Sequence, residues 1–216
     1  MNDRRRERRP SLADGAGEWA AVGQVPRLVA QAPWLLRERR GRGEPVVVLP
    51  GRGVGDASTV ALRGFLTALG YRCGGWGLGV NDGNVGAAVD RFTTVLEMIV
   101  ERHGAPVALV GQSMGGTVAR EVARARPDLV AQVITLGGPI FSPLSNRPLR
   151  VPMTVVYSRA DRIVPYPRSL DRAPGSTNVE VTSPHMGMGI DPDVWRVVAR
   201  QLRTGAEPGE PDGARG

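Results

Sequence analysis

The chain has 216 residues, 41% of them apolar, which is enough for one soluble domain with a full core. A single cysteine, Cys73, excludes an intramolecular disulfide and a cysteine metal cluster, and two histidines leave no basis for a histidine metal site. The net charge of +7 is carried entirely by arginine, and no apolar run approaches the roughly 18 residues of a membrane span, so the expected compartment is the cytoplasm.

Residues 1–16 read as a disordered, arginine-rich leader. Arg4, Arg5, Arg6, Arg8 and Arg9 lack interleaved aromatic residues, and no nucleic-acid-binding motif follows them, so no specific nucleic-acid partner is expected. No apolar h-region follows the arginines, which argues against a secretion signal. Residues 17–44 form a helical arm. Trp19, Val22, Val25, Leu28, Val29, Trp34, Leu35 and Leu36 recur at helical spacing, and Pro26 and Pro33 are expected to split the arm into two short helices. Such an arm could touch a membrane surface weakly, with Arg37, Arg39 and Arg40 at its end, but packing on the core is preferred.

From Val46 the pattern alternates between strand and helix. Val46–Leu49 is a continuous apolar run, as in a strand buried on both faces. A helix follows over 56–69, a strand over 71–76, a long helix over 85–102 and a strand over 106–110. A helix over 113–126 precedes strands at 130–136 and 153–157. A short helix at 166–172, a strand at 179–182 and a helix at 191–203 complete the domain, 45–204. Residues 205–216 read as a disordered tail. This succession predicts an α/β fold with a mostly parallel central sheet and helices on both faces.

Gly111-Gln112-Ser113-Met114-Gly115 stands between the strand at 106–110 and the following helix. Strand, sharp turn and helix are the context in which such a glycine-flanked serine becomes a nucleophile elbow. A serine hydroxyl needs an adjacent base, and the base an orienting acid. His185 is the only histidine after Ser113 and lies just past the final strand. Asp161, beyond the strand ending at Tyr157-Ser158, is the preferred acid, with Asp171 as the alternative. Asp191 and Asp193 read as caps of the last helix. The backbone N–H of Met114 and that of Arg52, in Pro50-Gly51-Arg52-Gly53-Val54-Gly55, are candidates for an oxyanion hole. That loop lacks the ending of a P-loop and the spacing of a dinucleotide loop, and the chemistry requires no cofactor and no metal.

These residues resemble the α/β-hydrolase superfamily, in its serine esterase and lipase type. Gly111–Gly116 is similar to the family's elbow, Ser158–Pro165 to its acid turn and Ser183–Gly187 to its histidine loop. The resemblance covers about residues 45–204. It implies a triad of Ser113, Asp161 and His185 and a small-molecule ester or lipid substrate. Many members have His-Gly where this chain has Pro50-Gly51. The connection Gly137–Val151 is too short for a helical cap domain, so an open, lidless site is expected. Its apolar substrate-binding walls are assigned to Trp76, Leu78, Ile140, Phe141 and Met186. The reading is a serine hydrolase of carboxylic esters with an apolar acyl part. An acyltransferase or thioesterase using the same triad, or a binding module on the hydrolase scaffold, is the alternative.

Overall fold

The computed structural model describes residues 24–38, 40–140 and 148–204. Six strands, β1 (Pro45–Leu49), β2 (Arg72–Gly75), β3 (Val107–Gln112), β4 (Val130–Leu136), β5 (Met153–Ser158) and β6 (Ser176–Val181), form one sheet in the order β2-β1-β3-β4-β5-β6. Every neighbouring pair is parallel, so each connection must cross from one end of the sheet to the other. The crossovers carry helices α2 (Val60–Ala68), α3 (Val85–His103) and α4 (Met114–Ala125). Helix α1 (Gln24–Leu35) precedes the sheet and α5 (Pro192–Thr204) follows it.

Successive strand residues face opposite sides, so the sheet divides its apolar residues between two cores. Val46, Val48, Val110 and Ile134 pack with Leu66 of α2 and Val198 of α5, joined by Leu35 of α1. Val47, Leu49, Leu109 and Val133 pack with Phe92 of α3 and Val122 of α4 on the other face. This is why the central strands read as unbroken apolar runs. It also gives the predicted architecture: a parallel sheet with helices on both faces.

Residues 17–23 of the arm lie outside the described residues; from Gln24 onward it differs from expectation at its prolines. α1 is one helix through both, because Pro26 stands in the first turn, where no N–H is required, and Leu36 N–H still bonds Ala32 O at 3.0 Å beyond Pro33. Arg27 reaches Asp193 of α5 at 2.8 Å, and Arg196 of α5 reaches Gln31 at 3.1 Å. The last strand begins earlier than its apolar residues suggest, since β6 lies at the sheet edge and exposes Thr177, Asn178 and Glu180. Between β4 and β5 the chain spans residues 137–152, of which 141–147 lie outside the described residues. Among the described residues no helix is long and apolar enough to cross a membrane.

The strand order reverses between β1 and β3. In an open parallel sheet such a reversal opens a crevice beyond the carboxyl ends of the two strands. Ser113 directly follows β3 and Arg52 lies just past β1, so both stand at that crevice.

Candidate active site

Ser113 has φ 49° and ψ −120°, and it is the one non-glycine residue with positive φ among the described residues. Such a conformation costs on the order of 1–3 kcal/mol and persists only where its surroundings impose it. Here Ser113 N–H donates to Leu136 O at 2.8 Å, while Ser113 O accepts from Gly116 N–H at 2.9 Å as α4 begins. The flanking glycines permit the close approach. A Cβ at Gly115 would stand 2.5 Å from Leu49 O and 2.6 Å from Pro50 O. The first turn of α4 therefore rests directly on the end of β1.

The acid turn and the histidine loop meet beside this apex. His185 Nδ1 and Asp161 Oδ2 are 2.6 Å apart. A carboxylate can only accept, so Nδ1 carries the proton and Nε2 is left as the basic nitrogen. The other carboxylate oxygen, Oδ1, accepts the N–H groups of Ile163 at 2.9 Å and Val164 at 2.7 Å. That Asx turn folds the chain back over the site. Asp171, the alternative acid, is committed elsewhere: its Oδ2 is 3.0 Å from Arg120 Nη2, with both side chains buried.

The loop after β1 is held by Asn81, which is 1% exposed. Its Nδ2 donates to Pro50 O at 3.0 Å, its backbone N–H donates to Val54 O at 3.0 Å, and its backbone carbonyl accepts from Gly53 N–H at 2.7 Å. Asp56 steadies the neighbouring turn by accepting the N–H groups of Trp76 and Gly77 at 2.9 and 3.0 Å. A Cβ at Gly51 would lie 3.5 Å from Ser113 Cβ, which fixes how close this loop approaches the serine. Neither the Met114 N–H nor the Arg52 N–H donates to a loop or cap carbonyl among the described residues.

A cavity of about 440 Å³ opens above the apex. It is lined by Ser113, His185, Met114, Arg52 and Met186, while Asp161 stands buried behind the imidazole. Three other residues assigned to its walls are placed elsewhere. Trp76 is 2% exposed in the second core, with its ring N–H turned inward to Gly79 O at 2.8 Å. Leu78 packs against the same core. Ile140 is not among the lining residues and donates its N–H to Arg168 O at 2.7 Å. Phe141 lies outside the described residues.

The walls are instead Val54 and Ser58 on one side and Ile163, Val164, Pro165, Arg168 and Ile190 on the other. The signal for Ile163, Val164, Pro165 and Arg168 was the Asx turn that Asp161 nucleates. Among the described residues no cluster of three or more His, Cys, Asp or Glu could hold a metal ion.

No protein-family model matches the sequence. No curated protein matches it either. Solved structures do match. A CIB-like hydrolase from Thermoplasma acidophilum aligns with a TM-score of 0.62 at 17% identity, over 76% of this chain and 88% of that one. A monoacylglycerol lipase from Paleococcus ferrophilus aligns at 0.61 and 16% identity, over 76% and 97%. An alpha-beta serine hydrolase homologue from Coxiella burnetii aligns at 0.61 and 19% identity, over 76% and 88%. The chain has the α/β-hydrolase fold.

Proposed function

We propose that this α/β-hydrolase-fold chain is a serine hydrolase that cleaves carboxylic esters with an apolar acyl part. The observation that carries the reading is the strained Ser113 on the wall of a cavity it shares with His185, whose imidazole is paired to Asp161. Strain at a nucleophile persists where the site needs that side chain aimed into the cavity.

Ser113 Oγ attacks the ester carbonyl while His185 Nε2 takes the hydroxyl proton. Asp161 fixes the tautomer and stabilises the imidazolium. The N–H groups of Met114 and Arg52 receive the oxyanion; one such donor is worth about 3 kcal/mol of transition-state stabilisation. The acyl C–O bond breaks, the alcohol leaves with the proton from His185, and the acyl group stays on Ser113. Water then gives its proton to His185 and its oxygen to the carbonyl, which releases the acid and restores Ser113. The apolar wall of Val54, Ile163, Val164, Met186 and Ile190 favours a hydrocarbon body next to the ester.

The test is labelling with a fluorophosphonate probe. Folded wild-type protein is expected to label, and Ser113→Ala is expected not to. Failure of the folded wild type to label would overturn the reading.

A further inference from the structure

The cavity wall is mostly apolar, and the charge on it has one sign. Arg52 enters from the loop after β1, and Arg168 from the segment after β5. Among the described residues neither guanidinium takes part in an ion pair. No Asp or Glu lines the cavity, and Asp161 behind it is buried and paired with His185. The sequence from 141 to 147 contains no acidic residue.

Arg168 N–H donates to Pro165 O at 2.8 Å, and Arg168 O accepts from Ile140 N–H at 2.7 Å, so its backbone is fastened to the wall. The Arg52 side chain lies over Gly83, where a Cβ would come within 2.9 Å of Nε.

Two positive groups beside low-dielectric walls create a positive potential where a substrate must sit. A neutral ester gains nothing from this field. An ester with an anionic group gains charge-assisted hydrogen bonds from planar, fork-shaped donors suited to oxyanions.

We infer that the substrate is an ester that also carries an anionic group, a carboxylate or a phosphate, which Arg52 and Arg168 select while the apolar wall holds the carbon chain between. This rests on the esterase reading above, with Arg52 contributing its side chain here and its backbone N–H there.

The experiment compares three ethyl esters of matched length: monoethyl adipate, the ethyl ester of 5-phosphooxypentanoic acid, and neutral ethyl adipamate. At low salt, kcat/KM for at least one charged ester is expected to exceed that of ethyl adipamate by about tenfold, the larger gain identifying the headgroup. Arg52→Gln and Arg168→Gln should each cut that ratio several-fold, and so should about 0.5 M salt. Reading a ratio cancels any general loss of activity. Arg162→Gln, at an exposed arginine outside the cavity wall, should leave the ratio intact. Equal turnover of charged and neutral esters, or an equal effect of Arg162→Gln, overturns the inference and leaves the esterase reading standing. If no ester is cleaved, the esterase reading fails. Calorimetry on Ser113→Ala still decides anion binding, since it needs no turnover. Tighter binding of a charged ester that is lost in the Arg168→Gln background supports the inference, and no preference overturns it.

Discussion

His185 Nδ1 lies 2.6 Å from Asp161 Oδ2, and the two side chains are 4% and 1% exposed. The Asp161 carboxylate is fully engaged, with Oδ1 on two backbone N–H groups and Oδ2 on the imidazole. Asn at this position keeps the volume. Its carbonyl would continue to accept from Ile163 and Val164, so its NH₂ would face Nδ1 and force the opposite tautomer, with the proton on Nε2. Asp161→Asn is therefore expected to lower ester kcat by about 10³–10⁴-fold with the fold intact. Steady-state kinetics beside a thermal melt checks this. Activity near the wild-type level would remove Asp161 from the mechanism.

Gly137 leaves room for that pair. It follows β4 at φ +59°, and a Cβ there would stand 3.0 Å from Asp161 Oδ2 and 3.1 Å from His185 Nδ1. Gly137→Ala adds about 1–2 kcal/mol of backbone strain and pushes on the two side chains whose spacing matters most. The expected outcome is a loss of kcat larger than the loss of stability accounts for. An unchanged kcat in a protein with a lowered melting temperature would show that the pair tolerates displacement.

Much of this was legible because it is local. Val46–Leu49 read as a buried strand since both faces of β1 are covered, and the Gly111–Gly116 pattern required only its neighbours. The edge strand β6 was less legible, because it exposes much of its length. The cavity wall was legible in part only. Whether Trp76 faces the site or the core is not set by its neighbours in sequence: Asp56, 20 residues earlier, accepts its backbone N–H, and its indole N–H turns inward to Gly79 O. Ile163, Pro165 and Arg168 reach the cavity because Asp161 bends the chain, a consequence of side-chain hydrogen bonding that hydrophobic periodicity does not report.

Arg120 and Asp171 form a buried ion pair at 3.0 Å that ties the elbow helix α4 to the segment bearing Arg168. Burial lowers the Arg120 guanidinium from its ordinary value, and the adjacent Asp171 carboxylate opposes the shift. Removing one partner strands a charge in the interior. Asp171→Leu is expected to cost about 3–5 kcal/mol in denaturant unfolding, and Arg120→Met with Asp171→Leu distinctly less. A double variant as unstable as the sum of its single variants would show that the two groups act independently.

Cys73 sits half-buried in β2, and burial pushes its thiol up to about 12 from 9.0, with Arg63 opposing weakly. The thiolate is the reactive form, so this rise makes it scarce in the folded protein at pH 8. Native protein is expected to react with a disulfide reagent far more slowly than protein unfolded in denaturant. The sign of the stability effect follows from the raised folded value. Below about 9 the thiol is protonated in both states and the contribution is complete; it is lost as pH rises from about 9 to about 12, because only the unfolded chain ionises freely in that window. Cys73→Ala should flatten this part of the stability profile. Rapid native labelling at pH 8 would show instead that the thiol at the sheet edge ionises as freely as in an unfolded chain.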